Sequence, residues 1–534
     1  MPELQFKGKE FVYNHHLTVP YRPLEMDAKK SIGKPNLNGN LIIHGDNLHA
    51  LKALLPLYAG KVECIFIDPP YNTGNEGWCY NDNVNSPMMK EWLSSNPVTI
   101  EDGLRHDKWC AMMYPRLKLL RELLSENGSF WMTIDDNEVH HARAVLDDVF
   151  GQDRFIACVV WQKRTSPESR LRLGAAQDYI LVYGNGQARD GLRKLSITEE
   201  QAAEFVNPDD DPRGAWTSTD LSAQGYRPNQ MYKITTPSGA KYDPPPGRCW
   251  GTIESEYLRL RAEGRMWFGV KGDARPRIKT YLDESEGVSA WTWWTNSEVG
   301  DNQESKKEVM RILGPDNPFD YPKPLRLLSR IIAIATDAGS LILDSFAGSG
   351  TTAHAVLHAN MKDGGSRRFI LVEGEDYADK VTAERVRLVI KGYRFEGTLK
   401  EELLRQAISF NTLKSPDKVL KQVDAIENLD GHRFDRIKKE VTGGEVIVSG
   451  EKKITEKVEG LGGEFTFCTL GDPLDLDKIL TGKSLPDYAA VGAWLFHTAT
   501  GEALSTSKVR KSNWYLGEST AYHVWLIYKP DLDF

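Results

Sequence analysis

The sequence predicts an α/β protein with a doubly wound, largely parallel sheet, and three observations carry that prediction. Short apolar runs of strand length recur, and several end on an acid: Leu41 to Asp46, Val62 to Asp68, Ser129 to Asp135 and Leu341 to Asp344. Stretches with helical spacing of apolar residues lie between them, the alternation that builds parallel sheets. Two of the strands run into turns of opposite character, a double proline after Asp68 and a glycine-rich loop after Asp344. In open α/β sheets, ligands bind at the carboxyl ends of the strands.

Composition bounds the rest. At 534 residues the chain is too long for one core, and two to four domains are expected. With 27% charged and 40% hydrophobic residues it reads as an ordinary globular protein. A net charge of −8 argues against blanket attraction to nucleic acid, so any such contact must come from local basic patches. The six cysteines are scattered, with no Cys-x-x-Cys pair; neither a zinc site nor a disulfide framework is expected, and a reducing cytoplasm fits. Residues 1–26 carry charges and no apolar core, so no signal peptide is expected, and no run reaches the length of a membrane span.

Taken in order, residues 1–38 read as an extended, polar lead-in. After the strand at Leu41, Asn47 to Leu55 is expected to be helical, with Leu48, Leu51, Leu54 and Leu55 on one face. Val62 to Ile67 is a strand stopped by Pro69 and Pro70, which fix φ and cannot extend a ladder. Residues 72–108, polar and carrying Trp78, Tyr80 and Trp92, suit a mobile loop over a site. A helix from Trp109 is expected to end near Asn127-Gly128, and Ser129 to Ile134 is the next strand. Asp135, Asp136 and Glu138 then precede His140-His141. Acids beside histidines suggest a metal, but adjacent residues on a helix point in different directions, and no metal site is expected.

Strands follow at Phe155 to Trp161 and Tyr179 to Tyr183, with Lys163, Arg164, Arg170 and Arg172 between them as candidate phosphate contacts. From Asn185 to Ser305 the alternation is lost, and tryptophans interleave with arginines. That suits either a nucleic-acid surface or a β-rich domain packed on tryptophans. Leu325 to Ala335 is helical, Leu341 to Asp344 a strand, Ala353 to Ala359 a helix, and Arg368 to Val372 a strand ending on Glu373. Beyond residue 396, helices at Leu399 to Ser409 and Asp417 to Asn428 and strands at Glu464 to Leu470 and His523 to Tyr528 predict a separate α+β domain. Lys483-Ser484 is not a phosphate loop, because the required upstream glycine is Asp477.

Two stretches carry chemistry. An exocyclic amino group on a base is a poor nucleophile, since its lone pair is delocalised into the ring. A carboxylate and a backbone carbonyl that accept its two N–H bonds would localise that pair, and an aromatic face would hold the base. Asp68, the Pro69 carbonyl and Tyr71 supply these parts on a proline-stiffened elbow. Asp-Pro-Pro also occurs at Asp243-Pro244-Pro245, but no apolar strand precedes it and no aromatic follows, so it reads as a loop. In the second stretch, Asp344-Ser345-Phe346-Ala347-Gly348-Ser349-Gly350-Thr351-Thr352 takes a strand through a glycine turn into a helix. Glycines let the backbone approach a ligand and the helix start offers unpaired N–H groups. It is neither a dinucleotide fingerprint nor a phosphate loop.

Asp68-Pro69-Pro70-Tyr71 resembles the catalytic motif of amino-group DNA methyltransferases, in the form typical of adenine N6 enzymes, and Phe346 to Gly350 resembles their S-adenosylmethionine motif. The catalytic motif comes first, by about 270 residues, too far for a connecting loop. That order, with the Trp- and Arg-rich stretch between, resembles the circularly permuted β class. Residues 68–74, Phe346 to Thr352 with His354, and Arg367 to Glu373 resemble more closely the modification subunits of type III restriction systems.

The resemblance implies a class I S-adenosylmethionine-dependent methyltransferase fold, Rossmann-like and permuted. Its catalytic half would be 1–184, a target-recognition region 185–315, the cofactor half 316–395 and an accessory domain 396–534. It implies that Asp68, Pro69, Pro70 and Tyr71 take a flipped adenine. Asp344, Phe346, Gly348, Gly350, Thr351, Thr352 and Glu373 would hold S-adenosylmethionine, with Asp46 and Lys323 as weaker candidates. Phe319 to Pro324 and the helix after it resemble the lead-in that closes over the methionine end of that cofactor. Double-stranded DNA, a second copy of the chain and a separate ATP-dependent restriction subunit are the implied partners. Cytosine N4 transfer and a non-catalytic DNA-recognition subunit are the alternatives.

Overall fold

A computed structural model describes residues 4–73, 103–166, 172–186, 191–285, 287–317, 319–442, 444–481, 486–505 and 508–528. They fall into two compact units, Arg193–Ala290 and the remainder of the chain.

The larger unit is organised by a ten-stranded sheet, numbered here in chain order: β1 Leu24–Ile32, β2 Leu41–His44, β3 Val62–Ile67, β4 Leu124–Ile134, β5 Phe155–Gln162, β6 Gln177–Gly184, β7 Trp293–Trp294, β8 Leu341–Asp344, β9 Arg368–Glu373 and β10 Phe465–Leu470. Across the sheet the order is β1-β10-β2-β9-β8-β3-β4-β6-β5-β7. The run from β10 to β4 is parallel throughout, and β6 is antiparallel to both β4 and β5. The central strands are nearly continuous apolar runs because both faces are covered. Ile65, Ile67 and Leu343 join a core with the helices Asn47–Tyr58, Arg105–Leu123 and Val139–Phe150. Residues alternate across a strand, so Phe66 faces the other way, beside Leu328 of the helix Leu325–Ala335.

Several expectations are corrected. The helix from Arg105 stops at Leu123, not near Gly128, since Leu124 is already extended (φ −69°, ψ 131°). The intervening residues form a bulge in the β3–β4 ladder. Gly128 serves that bulge rather than a helix stop, for a Cβ there would lie 2.8 Å from the Val62 carbonyl. The lead-in is not merely extended but holds two short helices and β1. Leu399 to Ser409 is not helical: Gly392–Ala407 is a strand paired along its length with Glu445–Glu459, a non-local pairing that overrides local helical spacing. Nor is the carboxyl-terminal region a separate unit, because β10 inserts between β1 and β2.

The smaller unit, residues 193–290, is β-rich, with a core of Leu221, Ile234, Trp250, Tyr257 and Phe268. It is narrower than the expected 185–315: Trp293–Trp294 extends the main sheet and the helix Asn302–Leu313 belongs to the larger unit. Its arginines are largely committed to internal partners. Arg259 pairs with Glu256 and Glu263, and Arg213 and Arg265 share Glu284. Trp216 and Trp250 are buried. Among the described residues, no helix is long and apolar enough to cross a membrane.

Candidate functional site

β3 and β8 are neighbours, Cys64 opposite Ile342 and Ile65 opposite Leu343, so the proline elbow and the glycine turn emerge side by side. A cavity open to solvent lies between them, lined among others by Phe66, Asp68, Lys323, Asp344, Phe346 and Gly348.

The elbow is held from several sides. The buried Trp109 indole donates to the Pro70 carbonyl at 2.7 Å. Among the described residues no donor is bonded to the Pro69 carbonyl. One Asp68 oxygen accepts the Thr133 hydroxyl at 2.5 Å, and the other pairs with the Lys323 ammonium. That ammonium also lies 5.1 Å from the centre of the Tyr71 ring. The Tyr71 hydroxyl faces Asp178 at 3.4 Å; burial pushes the phenol well above its usual range, with Asp178 and Asp68 adding to the shift. Asp178 is itself buried and pushed up by that burial, against the pull of Lys163.

The glycine turn is built differently. Burial pushes the Asp344 carboxyl up to about 7; it accepts the Thr352 hydroxyl at 2.5 Å and the Phe346 N–H at 3.0 Å. Gly348 and Gly350 both have left-handed φ, 53° and 78°. A Cβ on Gly348 would lie 2.9 Å from the Phe319 ring, and one on Gly350 would lie 3.0 Å from the Thr382 carbonyl. The fully buried Arg385 braces the turn from behind, donating to Ser349 at 2.9 Å and Thr351 at 2.8 Å.

The structure brings Asp68, Lys323, Asp344, Phe346, Gly348, Thr351 and Thr352 to the cavity wall. Three other cofactor candidates act elsewhere. Glu373 accepts the Gly348 N–H at 2.7 Å and the Glu375 N–H at 3.0 Å, bracing the turn rather than lining the cavity. Gly350 packs behind it. Asp46 caps the helix Asn47–Tyr58, accepting Leu48 N–H at 2.9 Å, and faces Arg116 at 3.3 Å. Lys163, expected as a phosphate contact, pairs its ammonium with the buried Asp178. Arg164 and Arg172 are exposed; Arg170, Trp78, Tyr80 and Trp92 lie outside the described residues.

Sequence reasoning missed Thr133, Asp178 and His106. Thr133 was recoverable, being the one small polar residue in the run Phe130 to Ile134, next to Met132, which the ladder sets against Ile67. His106 had no local signal. It meets Glu138, Nδ1 to Oε1 at 2.5 Å, while His141 Nδ1 lies 3.0 Å from Oε2. The three donor groups are within 4.8 Å of one another, a spacing that a cation could accept. The His140 ring does not diverge as expected, since its centre lies 4.0 Å from that of His141 and 6.4 Å from that of His106; it is nevertheless His106, from another helix, that completes the group with Glu138 and His141.

The family model described as DNA methylase, of the N6/N4 type, matches residues 62–384. The StyLTI Mod subunit of a type III restriction-modification enzyme from Salmonella typhimurium is 35% identical over 386 residues, covering 69% of this chain and 58% of that one. The type II methyltransferase M.KpnI of Klebsiella pneumoniae is 31% identical, covering 65% and 84%. The EcoPI Mod subunit of Escherichia phage P1 is 29% identical, covering 81% and 74%. The match thus spans less than two thirds of the first of these relatives.

Proposed function

The chain belongs to the N6/N4 DNA methylase family, and from that premise we propose that it methylates the N6 amino group of a flipped adenine in double-stranded DNA. One observation carries the reading: the Asp68 elbow and the Gly348 turn, distant in sequence, border one cavity. S-adenosylmethionine would supply an electrophilic methyl group on a sulfonium. The glycine turn fits such a group, because a side chain on Gly348 would run into Phe319 and fill the cleft.

The chain's own residues do the rest. Asp68 and the Pro69 carbonyl accept the two N–H bonds of the amino group, drawing its lone pair out of the ring. Thr133 fixes the Asp68 carboxylate, whose remaining lone pairs face the cavity side with Lys323. Asp68 is also placed to take the proton that the alkylated nitrogen must lose. Tyr71 offers its ring to the base. No cysteine sits in a nucleophile motif, so transfer is direct.

The relatives' names, Mod subunits of type III restriction-modification enzymes, support a role in restriction-modification; we propose further that the chain acts beside a separate ATP-dependent subunit and as a homodimer. The test is nucleoside mass spectrometry on DNA from cells expressing the chain, with an Asp68→Ala control. N6-methyladenine present solely with the intact chain is expected. N4-methylcytosine, or no modified base, would overturn the reading.

A further inference from the structure

We propose that Glu138 is a positioning residue that locks the Asp68–Tyr71 elbow through Asn72. The inference rests on the methyltransferase reading above. Asn72, directly after Tyr71, has φ 58° and is fully buried. A non-glycine residue in that conformation costs of the order of 1 kcal/mol and persists where its surroundings hold it. What holds it is its amide, which donates to Glu138 Oε1 and, at 3.2 Å, to the Arg105 carbonyl.

Glu138 is in turn over-determined. It is completely buried, at the end of the turn after β4, and both its oxygens meet histidines. Arg105 Nε donates to His106 Nε2 at 3.2 Å, so that nitrogen is the acceptor and Nδ1 carries the proton toward Glu138. The result is a chain of directed bonds, Arg105 to His106 to Glu138, meeting Asn72 from the other side. Residues on both sides of the 73–104 stretch are thereby fastened to one carboxylate. A cation would have to compete with two donors already on Oε1 and would face the Arg105 guanidinium across His106. The hydrogen-bonded arrangement is therefore the one the geometry favours. Glu138 touches neither the cavity lining nor Asp68, so any effect on the reaction passes through Asn72.

The test uses the full chain, with steady-state methyl transfer to DNA and calorimetric binding of S-adenosylmethionine. In Glu138→Ala and Asn72→Gly, kcat is expected to fall about 100-fold, the scale of a misplacement near 1 Å. Cofactor affinity should stay within about threefold, because the glycine turn is untouched. Asn72→Gly keeps the left-handed backbone without strain, so it remains informative if Glu138→Ala does not fold. Glu138→Gln, which retains an acceptor for Asn72, should recover most of kcat. Full activity in either of the first two variants would overturn the inference, as would equal losses in kcat and cofactor affinity. Activity lost on chelation and restored by zinc would overturn it in favour of a metal site. No transfer by the unaltered chain would sink the proposed function and this inference with it.

Discussion

Two parallel strands lie side by side and each delivers an aspartate to one cavity, yet the two carboxylates live under different rules. After β3 the chain meets two prolines and can turn in few ways, so Asp68 is held at the surface of the cleft with its side chain 22% exposed. After β8 it meets glycines, and the backbone itself approaches the cavity while Asp344 is withdrawn to 2% exposure and spends its oxygens on Phe346 and Thr352. A stiff turn presents a side chain; a permissive turn presents backbone. The same residue type at the same topological place is offered to the cleft in one case and is a brace in the other.

The sharpest way to break this contrast is Asp68→Ala. It should lower kcat by about 10³-fold or more, the scale for a group that meets developing charge, while cofactor affinity measured by calorimetry holds. Loss of cofactor binding instead would merge the two roles. Gly350→Val should do the reverse, weakening cofactor affinity by about 30-fold or more through the clash with the Thr382 carbonyl, read by the same titration. Unchanged affinity would refute the turn's role.

A finer test lies in acid stability. The Asp344 carboxyl is pushed up to about 7 from 3.8, so between those values the folded state keeps a proton that the unfolded chain has released. Its contribution is present below about pH 4 and lost as pH rises to 7, at about 1 kcal/mol per pH unit. Asp344→Asn should lack that slope in urea titrations compared with the unaltered chain; parallel slopes would show that the buried carboxyl is not titrating. The smallest effect concerns Lys163. Since its ammonium serves Asp178, Lys163→Met should leave the salt dependence of DNA binding unchanged, whereas Arg164→Ala should reduce the logarithmic slope by about 1 if it meets a phosphate. Equal slopes in both variants would leave neither as a phosphate contact.

What could be read in the sequence follows the same divide between local and distant causes. The strand bounds Val62–Ile67 and the helix bounds Leu325–Ala335 are set by residues inside those segments, and the sequence reading matches them. Two motifs with local signatures located the cavity. The partners that hold the motifs are set by pairing across the sheet or between helices: Thr133 against Asp68, Lys163 against Asp178, His106 against Glu138. None of these has a spacing in sequence that announces it. The strand Gly392–Ala407 failed for that reason too, its conformation being imposed by a partner some fifty residues on.

The insertion of β10 between β1 and β2 carries a consequence for how the protein is made. Translation delivers β1 and β2 well before Phe465–Leu470, the strand that separates them. Until then a growing polypeptide carries two unpaired sheet edges, the kind of surface that recruits stray strands and chaperones. Completion of the sheet thus waits on a strand far downstream, and a stop codon before residue 465 would leave the scaffold open along one side.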